Sequence, residues 1–350
     1  MDSAGSIVGS VDIETSFPGS RRIIQVLGYL FAAACLVWVF HDFQLAHLQT
    51  QLANLQWKWI VLAVAADILS YSCQGVRWKI LLRPLGSISA LKTTQAIYVG
   101  LFANELFPMR VGELVRGYLV SRWLCRKFLS VVPSLIVERF FDGIWLAVGI
   151  GLTAIFIQLP KDVLVAGDLL GILALAGTGI AVYLIVRRKE ALTQEPDTVP
   201  SGTGLLHAIR SILTHLAAAL RTFGTSRDFY TAFCLSVGVL VLQALALWAV
   251  MLAYGLPLSY WAGFVVLLIM HLGTAIPNAP ANIGTYQFFC VVGLTLFGID
   301  KPLATGFSLV AFIILTVPLW VLGGFALSQT GTTLAAIRSE ANKLSGTGIA

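Results

Sequence analysis

Charge is scarce in this sequence. Asp, Glu, Lys and Arg make up only 11% of its 350 residues, where a soluble globular chain carries roughly a quarter. With 57% hydrophobic residues and a mean hydropathy of +0.85, the chain falls outside the soluble class and reads as a polytopic membrane protein. Cysteine offers no framework either. Cys35, Cys73, Cys125, Cys234 and Cys290 stand far apart, form no CxxC pair and make no cluster with histidine at metal-ligand spacing, so they read as small apolar fillers and no metal site is expected. Catalytic signatures are missing as well. The absence of a Walker loop, GxGxxG, GxSxG, HExxH or DxD cluster argues against ATP-driven transport by this chain, and no cofactor is expected. The net charge of +6 is explained by the positive-inside bias of membrane proteins, without nucleic acid as a partner.

Apolar runs are what the sequence has in plenty. After a polar stretch 1–22, expected to be a disordered cytoplasmic tail, the basic pair Arg21-Arg22 precedes "IIQVLGYLFAAACLVWVF", an uncleaved first span. Further spans are expected near 57–76, 143–159, 166–186, 229–253, 260–276, 284–298 and 303–327, about eight crossings within a single transmembrane domain, 23–328. Lys and Arg crowd the connections after the second and fourth spans and are nearly absent from 42–56, 160–165 and 254–259. That asymmetry puts both termini, including the tail 329–350, in the cytoplasm. Within the domain, 187–203 reads as a polar cytoplasmic linker, and 204–223 as an amphipathic helix in the headgroup plane.

Two regions interrupt this pattern. Between 93 and 142 the chain is too apolar for a loop, yet it is broken by Pro108, Gly112, Pro133 and frequent charges. The segments 93–107 and 128–137 are too short to cross and are expected to be half-membrane hairpins entering from the cytoplasm. The second region, 271–290, contains Pro277, Asn278, Pro280, Asn282 and Gly284, where proline and glycine stop a helix and asparagine can satisfy the freed backbone. Interrupted segments in corresponding places of two halves point to a midplane binding site in transporters. They admit an inverted repeat, although no repeat is visible residue by residue.

The charges around the breaks are the candidate site. A helix starting near Pro108 puts Arg110, Glu113 and Arg116 on one face, with Glu113 able to pair with either guanidinium. Asn104 lies in the same stretch, and "VERFFDG" supplies Glu138, Arg139 and Asp142. Arg77, just past the second expected span, reads either as an interfacial anchor or as a headgroup ligand. A charge at the bilayer centre costs about 2.5 to 3.5 kcal/mol on insertion scales, so such residues tend to face a cavity. Arg83, Arg122, Arg126 and Lys127 are expected to snorkel or to pair within a hairpin, and Asp67 to bond within its helix to Ser70 or Tyr71, with a proton-relay role as the alternative.

"RW" at 77–78, "FPMRVGELVR" at 107–116, "VERFFDG" at 137–143 and "PNAPANIGTYQ" at 277–287 together resemble the flippase-like transmembrane family named after the membrane domain of lysylphosphatidylglycerol synthase. The resemblance spans about 22–328. It implies an all-α membrane protein of a prokaryotic cytoplasmic membrane, acting on anionic phospholipids, polyprenyl-phosphate-linked lipids or hopanoids, with a lipid-modifying enzyme as a further partner. The family's motifs fall here on Gly112, Glu113 and Arg116, on Glu138, Arg139 and Asp142, and on Pro280 and Gly284. Where many relatives have a Gly-Gly pair and a closing Glu, this sequence has Ala281-Asn282 and Gln287. No stretch resembles the aminoacyl-transferase domain of the bifunctional synthases, so lysyl-lipid synthesis is not expected. The functional expectation is a lipid translocase rather than an enzyme, with Arg77, Arg110, Arg116, Arg139, Asn104, Asn278, Asn282 and the carboxylates as its binding residues. An integral-membrane enzyme acting on a lipid phosphate and a non-transporting scaffold stay open.

Overall fold

A computed structural model describes residues 18–41, 43, 45–107, 111–156, 227–274 and 279–331. These residues form ten α-helices and one 3-10 turn: α1 (Pro18–Phe40), α2 (Leu45–Ala53), α3 (Trp57–Leu82), α4 (Ala90–Leu106), α5 (Gly112–Trp123), α6 (Phe128–Phe156), α7 (Arg227–Ala253), α8 (Tyr260–Thr274), the turn Pro280–Asn282, α9 (Thr285–Thr295) and α10 (Lys301–Ser328). Among the described residues, α3, α7 and α10 are long and apolar enough to cross a membrane on composition alone. The protein is an all-α integral membrane protein.

Helix lengths repeat. From α3 to α6 they run 26, 17, 12 and 29 residues, and from α7 to α10 they run 27, 15, 11 and 28. At 1.5 Å per residue the long helices exceed the hydrocarbon thickness of about 30 Å, while the short ones fall below it. Each half is thus a long helix, a hairpin of two short helices and a second long helix. The leading helices, α3 and α7, pack together extensively and run antiparallel. The amide of Gln56 donates to the carbonyl of Ala253 at one end (3.1 Å), and Arg83 pairs with Asp228 at the other. Among the described residues, antiparallel leading helices with successors of matched length fit the inverted repeat that the sequence admits.

The halves interlock through their hairpins. α4 lies against α10, where Gln95 Nε2 donates to the carbonyl of Ala326 (3.0 Å), and α8 lies against α6. In α8, every residue from Ala262 to Met270 is buried, as expected of a helix apolar on all sides. α1, by contrast, leaves Leu27, Leu30 and Val37 exposed, a surface for lipid tails.

Several boundaries differ from expectation. The segments 128–137 and 143–159 are not a half-span and a separate span but one helix, α6, with Pro133 inside it. The charges that suggested a break there are neutralised by partners on other helices, which removes the penalty for carrying them through a helix. α3 runs six residues past its expected end, so Arg77 sits within a helix. The connection 42–56 contains α2. The expected sixth and seventh spans are α8 and α9, the two short helices of the second hairpin. The tails 1–17 and 332–350, Pro108, Arg110, Pro277, Asn278, the fourth expected span, the linker 187–203 and the helix 204–223 lie outside the described residues.

Candidate functional site

The first hairpin is pinned by a close approach. A Cβ on Gly112 would fall 1.8 Å from the carbonyl oxygen of Gly100, so only glycine lets α5 fold back this tightly onto α4. The Gly112 amide, lacking a helical partner at the start of α5, donates to Asn104 Oδ1 (2.7 Å). Asn104 is thereby a brace across the break. In the second break Ala281 and Asn282 have φ of +56° and +52°, the left-handed region that glycine enters without cost. Gln287 closes that turn: its Oε1 accepts from the Gly284 amide (2.7 Å), a structural task that needs no titratable group.

Beside the first hairpin lies a charge network built from three helices. Arg77 on α3 is fully buried; its Nη1 donates to Asp142 Oδ1 (2.6 Å) and Ser236 Oγ (2.8 Å), and its Nη2 to Glu138 Oε1 (3.1 Å). Glu138 Oε2 lies 2.9 Å from Arg116 Nη1, a charge contact without hydrogen-bond alignment. Arg139 Nη2 contacts Glu113 Oε1 (2.9 Å) and its Nη1 reaches Asp142 Oδ2 (3.6 Å). Three arginines meet three carboxylates, so the network is neutral as a whole. Trp78 completes it, with the Arg116 guanidinium 4.8 Å from its ring centre and its own Nε1 donating to Ser134 Oγ (3.0 Å). The "RW" pair therefore acts in two ways at once, Arg77 by charge on Glu138 and Asp142 and Trp78 by stacking on Arg116.

These pairings correct the local reading of the sequence. Glu113 and Arg116 do not pair with each other along α5. Each reaches across to α6, Glu113 to Arg139 and Arg116 to Glu138. Arg77 is neither an interfacial anchor nor a lining residue, and with Glu138 it forms a buried strut behind the cavity wall. Ser236, which accepts from Arg77, had no signal in the sequence that would single it out.

A cavity of about 540 Å³ opens in front of this strut. Arg116, Arg139, Glu113 and Asp142 form its charged wall, and Asn104 and Asn282 bring the two helix breaks to its edge. Arg116 Nη2 is buried without a partner, and Arg139 keeps 47% of its side chain exposed. Gln74, Gln243 and His271 add polar groups that the sequence did not single out, and Glu105, from the charged stretch around Pro108 and Gly112, lies with them. No group of three or more metal-ligating side chains occurs among the described residues.

The motifs brought together here are those of a known family. Residues 25–323 match the model of the lysylphosphatidylglycerol synthase TM region. The chain belongs to this family. It is 24% identical over 274 residues to a UPF0104 membrane protein of Methanothermobacter thermautotrophicus, covering 73% of this chain and 79% of that one. The match to the UPF0104 membrane protein MJ1595 of Methanocaldococcus jannaschii is 23% identical over 324 residues, covering 87% of this chain and 93% of the relative. The glycosyltransferase AglD of Haloferax volcanii is 24% identical over 317 residues, 81% of this chain, which spans only 51% of AglD.

Proposed function

We propose that this protein moves an amphipathic lipid across a prokaryotic cytoplasmic membrane, with both of its own termini on the cytoplasmic side. The observation that carries the reading is the charged cavity set between two half-length hairpins inside an otherwise apolar shell. A translocase needs a polar path for the headgroup while the tails stay in hydrocarbon. Arg116 Nη2 and the exposed part of Arg139 supply charge-assisted donors for a lipid phosphate, and Asn104 and Asn282 add neutral contacts. The carboxylates hold the arginines compensated when no lipid is bound, so an empty cavity is not left with bare positive charge. The substrate is an anionic phospholipid, a polyprenyl-phosphate-linked lipid or a hopanoid lipid, and the likeness to a glycosyltransferase favours a lipid that takes part in glycan assembly beside a modifying enzyme. The chain itself performs no group transfer.

Mass spectrometry of lipids retained by the purified protein tests this. One anionic lipid should be enriched over the bulk membrane and lost from an Arg116→Ala/Arg139→Ala double variant. A bulk-membrane profile in both proteins would assign the arginines to structural pairing and favour the scaffold reading.

A further inference from the structure

Two interior acids take no part in the charge network. Asp67, in the middle of α3, keeps only 7% of its surface exposed, and Glu105, in the last turn of α4, has its Oε2 buried without a partner. All ion pairs seen among the described residues use other acids. Ser70, the expected partner of Asp67, donates instead to the Asp67 backbone carbonyl (2.8 Å). Glu105 holds a side-chain hydrogen bond from Trp320 on α10 and faces the cavity.

Tyr71 stands near both acids. It lies one turn from Asp67 on the same face of α3, lines the cavity with Glu105, and its hydroxyl lies in the electrostatic field of both carboxyls. Tyr286 on α9, whose hydroxyl is buried without a partner, feels Asp67 and Tyr71 in the same way. Tyr71 and Glu105 are thus on the cavity wall, with Asp67 one turn behind Tyr71 in the interior of α3.

We propose that Asp67 and Glu105 form a proton-exchange site, linked through Tyr71, whose loading and unloading accompanies the movement of lipid through the cavity. An unpaired carboxylate in a water-poor interior lacks the counter-charge that the network gives Glu138 and Asp142, and a proton is the one cation that needs no coordination shell to supply it. Glu105 faces the cavity with Asp67 buried behind Tyr71, and intramembrane acids beside a cavity mark ion and proton paths. The other ionisable groups near the three are Tyr98 on α4, Tyr286 on α9, His271 on the cavity wall from α8 and Arg139 on α6, while α7 and α10 present the neutral Gln243 and Trp320. Arg139 is already engaged by Glu113 and Asp142. Because Glu105 adjoins Asn104, which braces the first break, and bonds Trp320 across the α4–α10 contact, a proton gained or lost there acts on the hairpin and on the packing of the two halves.

Infrared difference spectroscopy of the full chain in lipid nanodiscs reads the site directly, using Asp67→Asn and Glu105→Gln, which preserve shape. The expected result is a wild-type carboxylic-acid band that changes with pH, shifts in D2O and loses one component in each variant. Wild-type and variant spectra that share the same acid bands at every pH would overturn the site. The coupling rests on the translocation reading, and proteoliposomes with and without a pH gradient separate the two. The gradient should change the rate of lipid movement several-fold in wild type and not in either variant. Lipid movement that ignores the proton gradient but follows a sodium gradient would overturn the proposal while leaving translocation intact. A carboxylic-acid signal in a protein that moves no lipid would uphold the site and remove the translocase reading.

Discussion

Glu138 holds Arg77 with one oxygen and Arg116 with the other, and all three side chains are buried. Removing that charge strands two guanidinium groups at once. Glu138→Gln is expected to destabilise the protein by about 3 to 5 kcal/mol, the cost of breaking a buried ion pair. Glu113→Gln, at a pair open to water on both sides, should cost less than about 1 kcal/mol. Thermal unfolding in detergent compares them, and equal losses would contradict the buried-strut role. A second residue effect concerns Ala281, held at φ +56°. Ala281→Gly relieves the left-handed backbone and should raise stability by about 0.5 to 1 kcal/mol after the entropy cost of glycine, again measured by thermal unfolding. At this scale the sequence showed which residues carry charge beside the breaks, but not their partners. Arg77 and Glu138 are 61 positions apart, and no local spacing rule connects them, whereas the i, i+3 rule suggested a Glu113–Arg116 pair that the fold does not make.

Helix breaks were legible where proline and glycine punctuate an apolar run. The interruption between α4 and α5 and the one between α8 and α9 both lie where those residues cluster. Legibility failed at α6, where Pro133 and three charges suggested a division in a helix that continues for 29 residues. Pro133, the sixth residue of α6, gives up a single i→i−4 hydrogen bond in the second turn, and the charges are compensated by side chains distant in sequence. The first hairpin also depends on contact rather than on punctuation. Gly112→Ala should force α5 away from α4, because the added methyl would meet the Gly100 carbonyl, and lipid movement should fall at least tenfold. Gly238→Ala, with open space at its Cβ position, should leave lipid movement unchanged. Equal activity in the two variants would show that the hairpin tolerates separation.

The described helices fall into two sets of matched length that place their breaks at one cavity, and this likeness is carried by helix lengths and packing rather than by residue identity. Paired breaks hinted at it, yet the charge network has no counterpart in the sequence of the second half, which is why no repeat could be read residue by residue. A neutral network that puts Arg116 and Arg139 on the cavity wall, with Arg116 Nη2 lacking a hydrogen-bond partner, is suited to take a phosphate and give it up again. The most direct measurement is translocation of a fluorescent anionic phospholipid in proteoliposomes, comparing wild type with Arg116→Lys. Lysine keeps the charge but loses the planar stacking on Trp78 and the second nitrogen. Wild type should move the lipid well above protein-free vesicles, with the lysine variant several-fold slower. Equal rates in the two proteins, or no movement above protein-free vesicles, would contradict the role given to the cavity.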